Sequence, residues 1–350
     1  MKKFIVIFIG VIITLTLVYI AGPRPEPKIL DASLPSLQTD LTKLEQDIIA
    51  REKANLLVKP DNESRILWAD SSKQKTPYSM VYLHGFGASQ GEGEPVHRLL
   101  AKRFGCNLYL SRLKEQGIQS DTAFKSMTAD NLLASAKEAV AVGQALGDSV
   151  IIIGTSTGGA LGLYITAYNP EIAGLLLYSP IIAPKNEALY LLNGPWGRQI
   201  GEAVLGSVNK EEREEPVKRY WSDVYYLEGY MALAALVENS MTEETFAKID
   251  DPLFLGYYYK NEEQQDQVVS VEAMLDMYDQ VSSPSAEKRK VAFPEAGNHV
   301  ISSVYRSDDW LGVYEASVTF LENIIGLQVL DTFAVDSTDY KALTLEKSSE

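Results

Sequence analysis

The sequence predicts an α/β protein with a mostly parallel central sheet that is flanked by helices. Short apolar runs alternate with helical patterns from Tyr78 onward, and this alternation is typical of a parallel sheet covered on both faces. The runs are apolar nearly from end to end, as expected of strands that are buried on both sides. The predicted strands are 78–83, 106–110, 149–154, 173–178, 252–259 and 289–293. The predicted helices are 94–104, 130–146, 158–168, 268–281 and 313–325.

Residues 1–21 are predicted to be a signal-anchor. Residues 4–21 are apolar and uncharged, and a helix of this length spans about 27 Å, close to the hydrocarbon thickness of a bilayer. Lys2 and Lys3 precede the run, which predicts a single pass through the inner (cytoplasmic) membrane with the rest of the chain exported. A cleaved signal peptide, leaving a secreted or periplasmic protein, is the alternative, although no small residue lies two positions before Ala21.

Residues 22–60 are predicted to form a stalk and an amphipathic helix. The stalk begins with the sequence GPRPEP, whose prolines cannot continue a helix. Leucines and an isoleucine then recur at helical spacing, which is typical of a face that packs on a protein domain or, less commonly, on a lipid surface. These residues are Leu37, Leu41, Leu44 and Ile48. A domain at 61–326 and a polar tail at 327–350 are predicted to follow.

A cap is predicted at about 181–250, inserted into the sheet domain. Between Pro180 and Asp251 the chain carries helical patterns but no predicted strand, and it is rich in tryptophan and tyrosine. The segment also contains the charge run KEEREEPVKR at 210–219, which is typical of a solvated helix face. We therefore expect a helical cap inserted into the sheet domain.

Composition and charge exclude several classes of function. The 350 residues include 32 Lys+Arg and 47 Asp+Glu, a formal net charge of −15, so phosphate backbones are repelled and nucleic acid is not a predicted partner. Cys106 is the single cysteine, which rules out an intramolecular disulfide and a cysteine-based metal centre. The three histidines lack metal-ligand spacing, and no calcium-loop pattern occurs. No metal and no cofactor are predicted.

The strongest catalytic signal lies at a predicted strand-to-helix turn. The sequence GTSTGG at 154–159 contains G-x-S-x-G directly after a predicted strand and before a predicted helix. A serine on such a sharp turn is exposed above the sheet, and the flanking glycines let strand and helix approach closely. Ser156 is therefore the predicted nucleophile, the alternative being a glycine-rich connector with an incidental serine.

A serine hydroxyl needs a general base that a third group orients. His299 lies just after the last predicted strand and follows the serine, so it alone suits the chain order Ser…Asp/Glu…His. His84 precedes the serine, and His97 lies within a helical pattern, where we expect a surface or partly buried side chain. His299 is the predicted base.

The acid is expected on a loop that follows a strand and precedes His299. Asp266 follows the fifth predicted strand and precedes a helical pattern. Asp250 and Asp251 precede that strand and so belong to the opposite edge of the sheet. Glu262 and Glu263 lie nearer the strand and remain alternatives to Asp266, which is the predicted acid.

The loop HGFG at 84–87 follows the first predicted strand and is predicted to stabilise an oxyanion. Its glycines let the backbone turn so that an N–H points at the developing charge, and the backbone N–H groups of Phe86 and Thr157 are the predicted donors. The loop lacks dinucleotide-binding spacing, because Gln90 stands where the third glycine of G-x-G-x-x-G belongs, and no Walker A sequence occurs.

Together these motifs resemble the α/β-hydrolase superfamily, most of all its exported, membrane-associated esterase and monoacylglycerol-lipase-type branch. The resemblance covers about 78–325 and depends on LHGFGAS at 83–89, GTSTGG at 154–159, DQVVS around Asp266 and GNHV around His299, in the family's order. The chain departs from the family at 260–265, where KNEEQQ separates the predicted strand from the acid.

The resemblance implies an α/β-hydrolase fold whose cap forms a lid over an acyl pocket. It also implies that Ser156 is the nucleophile, Asp266 the acid and His299 the base, with Phe86 and Thr157 as oxyanion donors. We therefore predict a serine hydrolase of small-molecule carboxylic esters with an apolar acyl group. An amidase or peptidase with the same triad and a non-catalytic, membrane-anchored binding protein are the alternatives. The acidity of the chain favours neutral or cationic esters over anionic ones.

Overall fold

A computed structural model describes residues 2–25 and 30–330 of the chain. Residues 26–29 of the predicted stalk and 331–350 of the predicted tail lie outside this description, as does Met1. The strands of the described residues are β1 (Arg65–Leu67), β2 (Thr76–Leu83), β3 (Asn107–Leu110), β4 (Gly147–Thr155), β5 (Ile172–Tyr178), β6 (Val208–Lys210), β7 (Val224–Tyr226), β8 (Leu253–Tyr257) and β9 (Lys288–Ala292). The helices are α1 (Lys2–Ile20), α2 (Leu41–Ala54), α3 (Val96–Phe104), α4 (Ala129–Leu146), α5 (Thr157–Thr166), α6 (Gly197–Leu205), α7 (Val217–Tyr220), α8 (Leu227–Ser240), α9 (Glu243–Ala247), α10 (Val271–Gln280) and α11 (Trp310–Phe320).

The central sheet has seven strands in the order β1-β3-β2-β4-β5-β8-β9. Every neighbouring pair is parallel except β1 and β3, which are antiparallel. All six predicted strands are present in it, and the predicted fold class is confirmed. The edge strand β1 was not predicted, because three residues are too few to show a periodic pattern.

Helices cover both faces of the sheet, as the continuous apolar strands require. Along β2, Val81 and Leu83 belong to the core layer that includes α4, α5 and α10, whereas Met80 and Tyr82 belong to the layer that includes α3 and α11. All four side chains are fully buried. Burying each aliphatic side chain of this size contributes about 1.5–3 kcal/mol, so the alternation along one strand fixes both layers.

Helix α2 packs on the sheet domain rather than standing apart from it. Its residues Leu44 and Ile48 are buried in the core layer that contains α4 and α5. The helix begins four residues later than Leu37, where the predicted pattern began, because the Asp40 carboxylate accepts the N–H groups of Thr42 and Lys43 at 3.0 and 3.1 Å and caps the first turn.

The cap is not purely helical. It contains a 3-10 helix at Glu187–Asn193, helices α6 to α9 and, contrary to prediction, the two antiparallel strands β6 and β7. These strands have three residues each, too few to show a period-2 pattern. The charge run at 210–219 is also mostly non-helical: it leaves β6 and enters α7 only at Val217, and Arg213 within it donates to the carbonyl of Ser222 at 3.2 Å.

Candidate active site

Ser156 occupies a strained turn between β4 and α5. Its backbone angles are φ 53° and ψ −114°, a region that residues other than glycine rarely adopt. The turn is held because the Ser156 N–H donates to the carbonyl of Tyr178 at 3.0 Å, and its own carbonyl accepts the N–H of Ile181 at 3.0 Å. The turn lifts the side chain above the carboxyl ends of β4 and β5, where it is 7% exposed.

The glycines beside Ser156 are sterically required. A Cβ atom on Gly158 would lie 1.9 Å from the carbonyl oxygen of Leu83, and one on Gly154 would lie 2.7 Å from the carbonyl oxygen of Gly158. Neither backbone can retreat without separating α5 from the sheet. The G-x-S-x-G spacing is therefore a consequence of close strand–helix packing at this turn.

Asp266 and His299 form a buried pair at the same edge of the sheet. Asp266 follows β8, His299 follows β9, and the Oδ2 atom of the aspartate lies 2.6 Å from Nδ1 of the histidine. The other carboxylate oxygen, Oδ1, accepts the N–H groups of Val268 and Val269 at 2.8 and 3.0 Å. This arrangement assigns the proton to Nδ1 and leaves Nε2 of His299 as the acceptor.

Each partner shifts the pKa of the other. Burial alone would raise the pKa of Asp266, but the charge and hydrogen bond of His299, together with two backbone N–H groups, lower it. Burial alone would lower the pKa of His299, but the charge and hydrogen bond of Asp266 raise it. The charge of Asp266 therefore stabilises the protonated form of His299, and a protonated His299 in turn stabilises the ionised form of Asp266.

The segment 260–265 explains how Asp266 reaches this position despite its distance from β8 in the sequence. The segment turns back on itself, because the N–H of Lys260 donates to the carbonyl of Gln264 at 2.8 Å. The N–H of Asp266 then donates to the carbonyl of Tyr258 at 3.1 Å, which returns the chain to the end of the strand. Asp266 thus lies where a residue directly after β8 would lie.

One cavity of about 520 Å³ is lined by the predicted nucleophile, base and oxyanion donors, which are Ser156, His299, Phe86 and Thr157. Nε2 of His299 is buried there and makes no hydrogen bond within the part of the chain that is described. Most of the remaining wall is apolar and comes from the cap and the first turn after β5. Its members include Ile181, Leu189, Leu192, Ile200, Val204 and Leu233.

The N–H of Phe86, in the loop after β2, has no acceptor among the described residues. The N–H of Gly85 donates to Glu92 at 2.6 Å and that of Gly87 donates to Gln116 at 2.6 Å, whereas the Phe86 N–H between them donates to no described residue. The Thr157 N–H, in the first turn of α5, is likewise without an acceptor among the described residues. Both unused donors belong to residues that line the cavity.

His84 holds the peptide that carries the Phe86 N–H. Its Nε2 atom accepts the N–H of Leu113 at 3.0 Å, so its Nδ1 carries the proton and donates to the carbonyl of Gly85 at 2.9 Å. Because C=O and N–H point in opposite directions across a trans peptide, this bond directs the Phe86 N–H away from His84. Burial lowers the pKa of His84 to about 4 and keeps it neutral.

His97 does not take part in the site, and its predicted exposure is wrong. The side chain is fully buried because α3 packs against the loop after β2, and Nε2 bonds the carbonyl of Gln90 at 2.8 Å. Burial lowers its pKa to about 3. Of the alternative acids, Glu262 accepts the hydroxyl of Tyr259 at 2.9 Å on the exposed turn, and it is Asp266 that contacts His299.

Two features of this region were missed by sequence reasoning. The first is Glu92, a buried carboxylate in the cavity wall, for which the sequence GASQGEGE contains no signal. The second is an adjoining cavity of about 450 Å³ that shares Phe86, Tyr230 and His299 with the first. Most of its wall is apolar too, but it carries polar side chains that the first cavity lacks, namely Glu211, Arg213, Gln265, Asn298 and Arg306.

Neither cavity offers a built metal site. In residues 2–25 and 30–330, no three His, Cys, Asp or Glu side chains are grouped as ligands for a metal ion.

The N-terminal helix α1 is long and apolar enough to cross a membrane, since Lys3–Ile20 have a mean hydropathy of 2.5 and none of the segment is buried.

The sheet order and the strand–turn–helix elbow define the α/β-hydrolase fold. A structure described with LipS and LipT, two metagenome-derived lipolytic enzymes, has 18% identity, covers 76% of this chain and 99% of its own and gives a TM-score of 0.61. A monoacylglycerol lipase from Paleococcus ferrophilus has 18% identity, coverage of 74% and 98% and a TM-score of 0.52. A soluble variant of monoglyceride lipase from Saccharomyces cerevisiae has 13% identity, coverage of 85% and 98% and a TM-score of 0.52.

These likenesses extend over nearly the whole length of the other proteins and establish that the chain has the α/β-hydrolase fold. At 13–18% identity they show the fold alone, so the chemistry has to be argued from the residues of the site. No protein-family model matches the sequence, and no curated protein sequence matches it either.

Proposed function

We propose that the protein hydrolyses carboxylic esters through an acyl-enzyme intermediate. The observation that carries the proposal is the buried Asp266–His299 pair, whose free Nε2 faces the cavity that Ser156 lines. A nucleophile on a strained turn, a base with an available nitrogen and an acid that orients this base are the three parts that acyl transfer needs.

In this mechanism His299 removes the proton of Ser156 as its Oγ attacks the ester carbonyl carbon. The negative charge that develops on the carbonyl oxygen is stabilised by the unused N–H groups of Phe86 and Thr157. His299 then donates the proton to the leaving alcohol, and water, activated by the same histidine, hydrolyses the acyl-enzyme. Asp266 keeps the imidazole in the required tautomer throughout.

The two cavities suggest how an ester is oriented. The acyl group belongs in the apolar cavity, which Ser156 and both proposed oxyanion donors line. The leaving alcohol must lie next to His299, and the adjoining cavity, which carries the additional polar side chains, is lined by His299 but not by Ser156. A substrate with an apolar acyl chain and a polar alcohol matches this division. The lipolytic and monoglyceride-lipase descriptions of the similar structures support the same class.

We expect kcat/KM for p-nitrophenyl esters to rise at least tenfold from the acetate to the octanoate. Each fully buried CH₂ group contributes about 0.8 kcal/mol of binding free energy. The octanoate has six more CH₂ groups than the acetate, and burying a small part of them in the transition state is enough for this gain. Initial rates below the critical micelle concentration measure it. Preference for the acetate would contradict the apolar acyl site, and absence of hydrolysis across the series would contradict esterase activity itself.

We also propose that α1 anchors the protein in a membrane, with the catalytic domain on the exported side. The end of α1 contacts the cap at Trp196, whose Nε1 donates to the carbonyl of Val18 at 3.0 Å and whose N–H donates to the carbonyl of Pro23 at 2.8 Å. Trp196 directly precedes α6, which carries the cavity residues Val204 and Leu205; Val204 is 75% exposed. An ester leaving the bilayer would thus meet the cavity close to the anchor.

Membrane fractionation tests the anchor. The full-length protein is expected to resist carbonate extraction, whereas the double substitution Ile12→Asp and Ile13→Asp should release it, because each carboxylate in the middle of a spanning helix costs about 2.5–3.5 kcal/mol. Leu56→Asp with Leu57→Asp, two exposed residues outside α1, is the matched control. A soluble, shortened wild-type protein would indicate signal cleavage instead.

A further inference from the structure

A second buried carboxylate lies in the catalytic cavity and has no part in the mechanism above. Glu92 belongs to a 3-10 turn at Gln90–Gly93, is 2% exposed and lines the same cavity as Ser156 and His299. Burying a carboxylate is costly unless hydrogen bonds or charges compensate, so its surroundings indicate what it does.

One oxygen of Glu92 connects the two peptide segments that carry the proposed oxyanion donors. Oε2 accepts the N–H of Gly85, which directly precedes Phe86, at 2.6 Å and the hydroxyl of Tyr82 at 3.1 Å. Because the single Tyr82 proton is directed at Glu92, Thr155 Oγ1, 3.1 Å from the tyrosine oxygen, is the donor in that contact. Thr155 directly precedes the nucleophile.

The other oxygen lies beside the nucleophile. A Cβ atom built on Gly85 would lie 2.8 Å from Glu92 Oε1 and 3.2 Å from Cβ of Ser156, so the carboxylate and the serine flank the same backbone. Among the described residues, Oε1 accepts no hydrogen bond and Glu92 forms no ion pair. Oε1 is therefore left to interact with the groups of the site itself.

The groups that face Glu92 come from several elements. His299 and the exposed Arg306 supply positive charge from the segment after β9, and Tyr82 of β2 supplies a neutral hydroxyl.

Two further neighbours of the Glu92 turn add no charge to it. His97 of α3 packs on Gly93 and is neutral, since burial lowers its pKa to about 3. Tyr220 of α7 packs on the turn but donates its hydroxyl to Asp61 at 2.7 Å.

Glu92 and His299 are electrostatically linked. Burial raises the pKa of Glu92 to about 7, although the Gly85 N–H and the charge of His299 oppose this. Burial would lower the pKa of His299, but Asp266 and, in addition, the charge of Glu92 raise it. Removing the charge of Glu92 should therefore lower the pKa of His299.

We propose that Glu92 is a positioning residue, which holds the His84–Gly85 peptide, and through it the adjoining peptide that carries the Phe86 N–H, for oxyanion binding, and which stabilises the imidazolium of His299 during acyl transfer. The proposal rests on the proposed ester hydrolysis. Glu92 touches no reacting atom in this scheme: it acts through the loop and through the base. The two effects are separable, because glutamine can still accept the Gly85 N–H but carries no charge, whereas alanine can do neither.

The test compares pH profiles of kcat/KM for p-nitrophenyl octanoate in the full-length wild-type, Glu92→Gln and Glu92→Ala enzymes. Neutral His299 is the active base, so a lower pKa makes it available at lower pH; the acidic limb of Glu92→Gln should move down by about half a pH unit or more. Glu92→Ala should show the same shift and also lose about tenfold or more at the plateau, because the oxyanion loop is released.

The matched control is Glu94→Gln. Glu94 lies two residues further along and pairs with Arg98, so this variant should leave the profile in place.

A Glu92→Gln profile that coincides with the wild-type profile overturns the proposal, and so does a plateau loss without movement of the limb, since that is the behaviour of a merely structural residue. If wild type hydrolyses no ester at any pH, the proposed function fails rather than the role of Glu92. Thermal melting of each variant checks that Glu92→Ala is folded; if it is not, Glu92→Gln alone decides.

Discussion

Replacing Ser156 by alanine is expected to abolish both ester hydrolysis and covalent labelling by a fluorophosphonate probe. The probe reacts with a serine that a histidine activates, and alanine leaves nothing for Nε2 of His299 to deprotonate. Loss of the nucleophile in a triad lowers kcat by about 10⁴–10⁶, so the residual rate should be within background for p-nitrophenyl octanoate. Gel fluorescence and initial rates measure the two effects on the same preparations.

Ser179→Ala is the matched control for this experiment. Ser179 follows β5, close to the elbow, is fully buried and has a hydroxyl without a hydrogen-bond partner among the described residues. Its variant should label like wild type. Equal labelling of Ser156→Ala and wild type would show that Ser156 is not the nucleophile. A wild-type protein that neither labels nor hydrolyses esters would favour the non-catalytic binding protein, and faster cleavage of anilides than of esters would favour the amidase.

Replacing Asp266 by asparagine is expected to lower kcat by about 10⁴ while leaving fluorophosphonate labelling slow but detectable. An amide in place of the carboxylate no longer fixes the proton on Nδ1 of His299, so the base is held in the wrong tautomer. The Asp266 charge also raises the pKa of His299, so the acidic limb of the remaining activity should move to lower pH. A full pH profile of kcat/KM records both effects.

Glu262→Gln serves as the control, because Glu262 precedes Asp266 on the same loop and was an alternative acid. Its variant should keep activity within about twofold, as expected of an exposed carboxylate. The reverse result, an inactive Glu262→Gln and an active Asp266→Asn, would reassign the acid.

Asp266→Asn also removes a stabilising charge: the pKa of Asp266 lies below its ordinary 3.8 in the folded chain, so the carboxylate stabilises the fold above that pH and loses this contribution as the pH falls below it.

Local patterns were sufficient to predict the sheet and the elbow. Strands such as β4 and β5 are runs of apolar residues that are buried on both faces, and this burial depends on composition alone. The elbow was predictable because G-x-S-x-G is a local signal, although only Gly154 is required by contacts within the elbow and Gly158 is required by the carbonyl of the distant Leu83. The strands β1, β6 and β7 could not be predicted, because each has three residues and its pairing is decided by distant partners.

The remaining features of the site depend on contacts between distant segments. Asp266 was predicted from its place in the chain order, but its arrival at His299 depends on the bond to Tyr258 that closes 260–265. Glu92 had no sequence signal, since its role arises from the loop that brings it to Gly85. His97 was misjudged because the helix pattern alone does not reveal that the loop after β2 covers it.

The turn at 260–265 has a practical consequence for engineering. Because the chain leaves β8 at Tyr258 and comes back to the same carbonyl at Asp266, the residues between these two points can change in number without displacing the carboxylate. Exposed turns closed at the base are the places where inserted sequence is best tolerated. A peptide tag or a fluorescent reporter introduced there would sit next to the adjoining cavity and could report on occupancy by the leaving alcohol.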